Sequence, residues 1–457
     1  MEKDSRTRNF TEGRILSPLV RFALPVLAAL FLQAMYGAVD LLVVGRFGSA
    51  ADVSAVSTGS QIMMTLTNLV SSFAMGATIL LGQQIGEGNA EKGGQTIGAC
   101  VTLFGCIGLV LTALIVPGAS ALSRVMHAPE EAFDLTSTYV RVCGAGTLVI
   151  IAYNLIGSVF RGIGDSRTPL VTVAIACVFN IAGDLLLVAV LHMGALGAAL
   201  ATVAAQGVSV AVSLALMRRR QLPFTLRRED VRFNGTLIGR ITRLGLPIAL
   251  QDLLVGLSFL IIQAIVNALG LIPSAGVGVA EKVCAFIMLV PSAFMQAMSA
   301  FVAQNAGAGR YDRAEKALLC GIGLSLAFGI VMAYLAFFRG ELLAGLFSKD
   351  GDVIAAAADY LKAYGIDCML TPIFFCFIGY YNGIGMTRFV MLQGIVSAFC
   401  VRVPVSWLMS RQRPASLFRI GLATPCSSTL QIVLCLAFMA YVKKRVMPER
   451  QGMSGVI

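Results

Sequence analysis

Long apolar stretches recur along the whole of this 457-residue chain, and they constrain its fold more than any other feature. Most of them reach the roughly 20 residues that a helix needs to cross a bilayer. The composition agrees, because 57% of the residues are hydrophobic and 13% are charged, whereas soluble domains carry about 25% charged residues. The sequence therefore predicts an all-α polytopic membrane protein and excludes a soluble enzyme.

Twelve transmembrane helices are predicted, and the longest polar connection separates the first six from the last six. The predicted spans lie at about 17–44, 53–80, 94–118, 137–160, 168–191, 194–217, 246–270, 274–302, 314–338, 353–382, 388–410 and 419–442. The predicted organisation is a cytoplasmic N-terminal tail (1–16), a six-helix lobe (17–217), a cytoplasmic linker (218–238), a second six-helix lobe (239–442) and a cytoplasmic C-terminal tail (443–457).

The two halves resemble each other at an offset of about 221 residues. FALPVLAALF at 22–31 matches LGLPIALQDL at 244–253, and RGIGDSR at 161–167 matches NGIGMTR at 382–388. Each unit has an even number of spans, so both copies insert the same way up. This predicts two six-helix bundles related by a pseudo-two-fold axis along the membrane normal. Bundles arranged in this way enclose a cleft at the midplane, as alternating-access transporters do.

The basic residues are distributed asymmetrically across the predicted membrane. About 23 of the 35 Lys and Arg residues fall on one side, in the tails and the even-numbered loops. This positive-inside pattern predicts that both termini are cytoplasmic, and it explains the net charge of +11 without a nucleic-acid partner. The N-terminus MEKDSRTRNFTEGRILSP lacks the apolar core and cleavage site of a signal peptide.

Motifs for metal, nucleotide and catalytic chemistry are missing from the sequence. The eleven cysteines are scattered without a CxxC pair, and the two histidines lie in short loops. The glycine-rich segment GEGNAEKGG has no Walker spacing and is predicted to form a tight turn between spans. We therefore predict no enzyme activity and no cofactor. A pump of this kind would use an ion gradient or a partner protein.

Acidic and amide side chains inside the N-terminal spans form the first group of candidate site residues. Asp40 lies in the first span, and Asn180 and Asp184 are one helical turn apart in the fifth. Thr202 and Gln206 have the same spacing in the sixth span. Oxygen ligands of this kind suit Na⁺ or a proton, and two carboxylates that approach closely would share one proton. Alternatively, the amide and hydroxyl groups bridge helices through hydrogen bonds.

The repeat provides an internal control for this group. Asn180 and Asp184 correspond to Val401 and Val405, and Asp40 corresponds to Ile262. Residues needed only for packing would more often occur in both halves. The sequence thus predicts one cation site, in the N-terminal lobe.

The second group of polar candidates lies in the C-terminal half and includes Gln251, Asp252, Gln263, Glu281, Lys282 and Arg402. We predict that the substrate cavity is lined by residues of both halves: Tyr36, Gln206, Asp252, Glu281 and Met295. For Met295, plain helix packing is the alternative. Pro25, early in the first span, is predicted to kink that helix, either as a moving part or as a static bend.

Four segments together resemble bacterial multidrug and toxic compound extrusion (MATE) transporters over residues 15 to 445. They are MYGAVDLLVVGRFG in the first span, the GxG loop after the second, FRGIGDSRTP before the fifth, and FNIAGDLLL followed by GALGAALATVAAQ. The resemblance implies export of amphipathic, often cationic, organic compounds, coupled to inward flow of Na⁺ or H⁺, by a monomer in a bacterial plasma membrane.

The resemblance also implies roles for particular residues. It assigns Asp40, Asn180, Asp184 and Thr202 to the cation site, where they would coordinate Na⁺ in a sodium-coupled protein, and it assigns helix bending to Pro25. Another branch of the family has an acid at the position of Val255, so the resemblance gives no support for a site of that type in the C-terminal lobe. Two alternatives stay open: a flippase for lipid-linked saccharides and a membrane receptor without transport.

Overall fold

The structure is a computed structural model that describes residues 10–219, 222–224 and 227–446. The remaining parts of the predicted tails and linker, at 1–9, 220–221, 225–226 and 447–457, lie outside the described residues. Within the described ranges every regular element is helical. The all-α polytopic plan predicted from the apolar stretches is therefore confirmed.

Seventeen α-helices are found in the described residues, and short π- or 3₁₀-helical segments adjoin some of them. The α-helices are α1 (Leu16–Phe47), α2 (Ala50–Gly86), α3 (Ala90–Val125), α4 (Glu130–Ala145), α5 (Thr147–Gly162), α6 (Arg167–Asp184), α7 (Gly194–Arg219), α8 (Gly235–Asn267), α9 (Leu271–Ile287), α10 (Leu289–Gly307), α11 (Tyr311–Phe338), α12 (Gly340–Ala344), α13 (Gly351–Gly383), α14 (Thr387–Ser397), α15 (Val403–Ser410), α16 (Leu417–Gly421) and α17 (Ala423–Tyr441). The π-helical segments are Leu185–Val190, Ala398–Arg402 and Val442–Val446, and the 3₁₀ turn is Arg228–Asp230.

Eleven helical stretches among the described residues are long and apolar enough to cross a membrane, and a bent pair provides the twelfth. The prediction of one helix at 137–160 was wrong in detail, because α4 and α5 meet at an angle of 54°. Gly146 separates them, and a Cβ atom there would lie 2.5 Å from a methyl group of Val203. The close approach of α7 thus requires glycine at the bend. The predicted span at 274–302 is also divided, at Met288, into α9 and α10.

Glycines in the left-handed conformation end corresponding helices in both halves of the chain. Gly88 and Gly309 follow α2 and α10 with φ of 71° and 69°, and Gly164 and Gly385 follow α5 and α13 with φ of 85° and 82°. A side chain is disfavoured at such positive φ values. The tight turn predicted for GEGNAEKGG is present at Gly88, and the shared glycine conformations show that the sequence repeat extends to backbone geometry.

The described residues form two compact units that do not follow the sequence halves strictly. Unit 1 runs from Leu24 to Ala249, and unit 2 combines Phe10–Ala23 with the chain from Leu250 onward. Each boundary falls inside a helix, α1 or α8, within three residues of Pro25 or Pro247. The first turns of α1 and α8 therefore each belong to the unit of the other half.

The segment before α1 packs on unit 2. The ring of Phe10 is fully buried and its centroid lies 5.0 Å from that of Phe301. Arg313 at the start of α11 donates hydrogen bonds of 3.1, 3.0 and 2.7 Å to the backbone carbonyls of Phe10, Glu12 and Gly13. The described end of the predicted N-terminal tail is thus held by a guanidinium group.

The segment before α8 packs on unit 1 in the corresponding way. Phe224 is buried in the core that α2, α3 and α5 form, with its ring against Gly93 of α3. One turn further along α3, Gly98 packs against the backbone carbonyl of Asp230 so closely that a side chain would not fit. The described part of the predicted linker is consequently packed against a helix.

Candidate functional site

The structure brings the four residues of the predicted cation site together in unit 1. Asp40 comes from α1, Asn180 and Asp184 from α6, and Thr202 from α7. The Thr202 hydroxyl lies 3.4 Å from Asp40 Oδ2 and accepts a hydrogen bond of 3.5 Å from Asn180 Nδ2. It also lies 3.0 Å from the carbonyl of Ala198, one turn back on its own helix. We call these four residues the N-half cluster.

Small residues allow α6 and α7 to approach closely at the cluster. A Cβ atom on Gly183 would lie 3.0 Å from that of Ala201, so the two helices nearly touch between Asp184 and Thr202. Alanine and glycine along GALGAALATVAA give α7 the thin face that such packing requires. Immediately after Asp184 the helix widens into the π-helical segment Leu185–Val190. Segments of this type occur frequently at functional sites.

The carboxylates of the N-half cluster are buried without enough hydrogen-bond donors. Asp40, Asn180 and Asp184 are 6%, 2% and 0% exposed. Among the described residues, no donor reaches Asp40 Oδ1, Asn180 Oδ1 or either carboxylate oxygen of Asp184. The carboxyl groups of Asp40 and Asp184 lie close enough to hydrogen-bond through a single proton, and the side chain of Asn180 also approaches Asp40. Buried oxygens without donors are an arrangement that a bound cation or a shared proton would satisfy.

Tyr139 of α4 is a member of this neighbourhood that sequence reasoning missed. It is buried and interacts electrostatically with Asp40, Asp184 and Tyr36. Gly59 of α2 packs directly against its ring, which fixes the position of the side chain. The signal that could have identified it was the repeat, since Tyr139 occupies the position of Tyr360 in the matched segments YVRVCG and YLKAYG.

Two of the residues predicted to line the substrate cavity lie beside the N-half cluster. Tyr36 of α1 is next to Gln206 of α7 and interacts electrostatically with Asp40. Gln206 is buried, and within the described chain its Oε1 atom has no hydrogen-bond donor. The structure therefore places a phenol, with an amide beside it, next to the N-half cluster.

The other three predicted cavity residues belong to unit 2 and differ in their surroundings. Asp252 is exposed, and Glu281 is half-buried. Met295 is half-buried, and its backbone carbonyl would lie 2.5 Å from a Cβ atom on Gly379, which places it at the packed contact of α10 with α13. Glu281 instead takes part in a second group of charges in unit 2.

Unit 2 contains a buried carboxylate that sequence reasoning also missed. Asp367 of α13 is 2% exposed, and its Oδ2 atom accepts a hydrogen bond of 2.8 Å from Thr371. Asp367 and Glu281 interact electrostatically with Tyr360, as does the buried Arg402. We call Glu281, Tyr360, Asp367 and Arg402 the C-half charge cluster. The spacing of Asp367 and Thr371, four residues apart in an apolar span, could have revealed it.

Comparison with known proteins finds the same family in both halves of the chain. Residues 25–186 and 247–408 each match the model of the MatE family, which repeats the internal duplication. Over 441 residues the chain is 27% identical to the probable multidrug resistance protein YpnP of Bacillus subtilis (strain 168), covering 95% of this chain and 96% of that protein. It is 21% identical over 412 residues to the multidrug export protein MepA of Staphylococcus aureus (strain MSSA476), with coverage of 89% and 90%.

The fold is similar to those of solved transporters. A crystal structure of a MATE protein in complex with MaL6 superimposes with a TM-score of 0.89 at 18% identity, covering 98% of this chain and all of that one. An outward-facing multidrug resistance transporter described as a MATE family member gives the same TM-score of 0.89 at 20% identity, with coverage of 97% and 100%.

Proposed function

The chain belongs to the MatE family, and from this premise we propose that it is a secondary active exporter of amphipathic, cationic organic compounds. Export is coupled to inward flow of Na⁺ or H⁺ and proceeds by alternating access. The family membership agrees with the resemblance seen in the sequence. It favours a transporter over an enzyme. The finer assignments rest on the N-half cluster.

The observation that carries the proposal is the set of buried oxygens without donors on Asp40, Asn180 and Asp184. A charged side chain near the bilayer centre costs on the order of 3 kcal/mol or more. Two carboxylates at one place would repel each other in addition. A Na⁺ ion or a proton placed between them offsets both costs, and its loss restores them. The cluster therefore has a lower free energy when it is loaded than when it is empty, and this difference is what couples ion binding to the state of the protein.

Thr202 offers a route from ion binding to helix packing. Its hydroxyl contacts Asp40 of α1 and Asn180 of α6 while it lies on α7 itself. An ion bound to Asp40 and Asp184 would compete for the same oxygens, so loading would alter how α1 packs on α6 and α7. We propose that Pro25 lets α1 adopt the resulting second shape.

The multidrug part of the substrate assignment follows the two relatives, a probable multidrug resistance protein and a multidrug export protein, and its amphipathic, cationic character follows the resemblance found in the sequence. We propose that Tyr36, Gln206, Asp252, Glu281 and Met295 contact the substrate, with Tyr36 and Gln206 acting nearest to the cation site. The protein would act as a monomer in a bacterial plasma membrane with both termini in the cytoplasm.

The test is efflux of ethidium from proteoliposomes that contain the purified protein. A Na⁺ gradient and a pH gradient are imposed separately on wild type and on Asp184→Asn. The matched control is Asp134→Asn, the same substitution at an exposed position on α4. We expect one gradient to drive efflux by wild type and by Asp134→Asn, and Asp184→Asn to lose the gradient-driven part.

The gradient that drives efflux identifies the coupling ion. Flux by wild type that ignores both gradients would contradict coupling and favour the flippase or receptor alternatives. Gradient-driven flux by Asp184→Asn at the wild-type rate would exclude the N-half cluster as the coupling site.

A further inference from the structure

Arg402 is a buried cation in the middle of a predicted span. It ends the π-helical segment Ala398–Arg402 and is 3% exposed. Its guanidinium carbon lies 4.5 Å from the ring centroid of Phe259, and Nη1 donates a hydrogen bond of 3.2 Å to Ser258 Oγ. No acceptor in the described chain reaches the buried Nε atom. A charge in such surroundings requires an opposite charge nearby.

Asp367 provides that opposite charge. Its Oδ2 atom accepts a hydrogen bond from Thr371, and the hydroxyl group of Ser428 also faces the carboxylate. The charges of Arg402 and Asp367 act on each other, and both act on the hydroxyl groups of Tyr360 and Tyr364. Two buried groups of opposite sign, each only partly satisfied by neutral hydrogen-bond partners, therefore lie in the same polar neighbourhood.

The sequence repeat shows how this arrangement differs from the N-half cluster. Arg402 corresponds to Ile181, between Asn180 and Asp184, so the N-terminal half has no arginine at this position. In both halves the charged residue adjoins a π-helical segment, Leu185–Val190 or Ala398–Arg402. The first half thus presents two carboxylates without a cation, and the second presents carboxylates with one.

We propose that Arg402 is a tethered cation that neutralises Asp367 and so prevents the C-half charge cluster from binding a mobile Na⁺ or H⁺. This deepens the proposed function, because it confines ion coupling to the N-half cluster. Removing the guanidinium while keeping its apolar stem would convert Asp367, with Thr371 and Glu281 nearby, into a second site for a monovalent cation or a proton.

The test uses the purified full-length protein in detergent and measures its melting temperature. All variants carry Asp40→Asn and Asp184→Asn, so that the N-half cluster cannot contribute. The set comprises Arg402→Met, Arg402→Lys, Asp367→Asn and the double variant Arg402→Met/Asp367→Asn. Arg411→Met is the matched control, since Arg411 is an exposed arginine stacked on Trp407 at 4.1 Å.

We expect Arg402→Met to lower the melting temperature by several degrees and the addition of Asp367→Asn to recover most of that loss. Breaking a buried pair is strongly destabilising, whereas replacing both partners is often neutral. In Arg402→Met, NaCl in place of choline chloride, or a lower pH, should raise the melting temperature through binding at Asp367. Arg402→Lys, Arg411→Met and the double variant should not respond.

Two results would overturn the proposal: additive losses in the double variant, or an Arg402→Met variant that is insensitive to both Na⁺ and pH. If Arg402→Met alone does not fold, a folded double variant supports the pair, and a double variant that also fails to fold contradicts it. Every variant lacks both carboxylates of the N-half cluster. The melting-temperature result is therefore independent of whether wild type couples efflux to an ion gradient.

Discussion

The N-half cluster and the C-half charge cluster occupy corresponding regions of a duplicated fold and carry different charges. Tyr139 and Tyr360 are matched, and each lies beside buried carboxylates. Asp40, however, is matched by Ile262, and Arg402 is matched by Ile181. One half therefore presents carboxylates that a mobile ion would satisfy, while the other contains its own cation. Under the proposed roles, a few differences on a shared scaffold separate an ion-binding half from a half that is internally neutralised.

A second comparison concerns the segments that precede α1 and α8. Each packs on the unit to which the first turns of the following helix belong, through Arg313 in unit 2 and through Phe224 and Gly98 in unit 1. Both halves thus share the exchange of segments and differ in the contacts that hold them, which are hydrogen bonds from a charged side chain in unit 2 and a buried ring with close backbone packing in unit 1.

The largest effect is expected when an acid is introduced into the second half, at Ile262, the residue that corresponds to Asp40. Ile262 is 1% exposed in the apolar core of unit 2, and we expect Ile262→Asp to destabilise the protein by about 3 kcal/mol or more, because the carboxylate would be buried without a partner. Thermal unfolding in detergent measures the effect, with Ile262→Val as the control. Wild-type stability in the acidic variant would mean that the second half already offers a cation site.

Removing the acid from the first half should abolish coupling and leave the fold intact. We expect Asp40→Asn to reduce gradient-driven ethidium efflux by about 100-fold, equivalent to about 2.7 kcal/mol, with little change in melting temperature. The carboxamide keeps the shape of the carboxylate and loses its charge. Efflux assays and thermal unfolding on the same preparation separate the two effects. An equal loss of stability and transport would indicate a packing role.

The contacts of the segments that precede α1 and α8 can be compared through a matched pair of basic residues. Arg313→Ala removes three hydrogen bonds to backbone carbonyls and should lower stability by about 1 to 2 kcal/mol. Lys92, its counterpart in the repeat, is exposed, so Lys92→Ala should have no measurable effect on the unfolding temperature. Similar losses in both variants would contradict the difference drawn between the two segments.

The smallest expected effect distinguishes the matched tyrosines. Tyr139→Phe removes a hydroxyl group next to Asp40 and Asp184, and we expect the ion concentration for half-maximal efflux to change by about 2- to 10-fold, equivalent to about 0.5–1.5 kcal/mol. Tyr360→Phe should leave that concentration unchanged, since Tyr360 lies in the half assigned to no mobile ion. A change of the same size in both variants would place ion coupling in both halves.

Much of this architecture could be predicted from the sequence, because periodicity and repeats are local properties. The apolar stretches predicted the spans, and the spacing of Asn180 and Asp184 predicted that they share a helix face. The bend at Gly146 was missed, and the need for glycine there could not be recognised, because the close contact with Val203 comes from a distant helix.

The missed site residues have a similar explanation. Tyr139 lies in a motif that reads as ordinary packing, and only the folded chain brings it to Asp40 and Asp184. For Asp367, the presence of Thr371 four residues later was a usable sequence signal. Its charged partner Arg402, however, comes from a different span. Convergence between helices depends on their rotation and packing, and spacing within one helix does not determine it.

The most direct test of ion coupling through the N-half cluster is to run the exchange in reverse. An ethidium gradient imposed across proteoliposomes should drive the coupling ion in the opposite direction, measured as uptake of radioactive Na⁺ or as a change in the fluorescence of trapped pyranine. We predict ion movement in wild type and in Arg402→Lys, and its loss in Asp184→Asn. Ion movement that persists in Asp184→Asn, or that is absent from a wild-type preparation transporting ethidium, would contradict coupling through the N-half cluster.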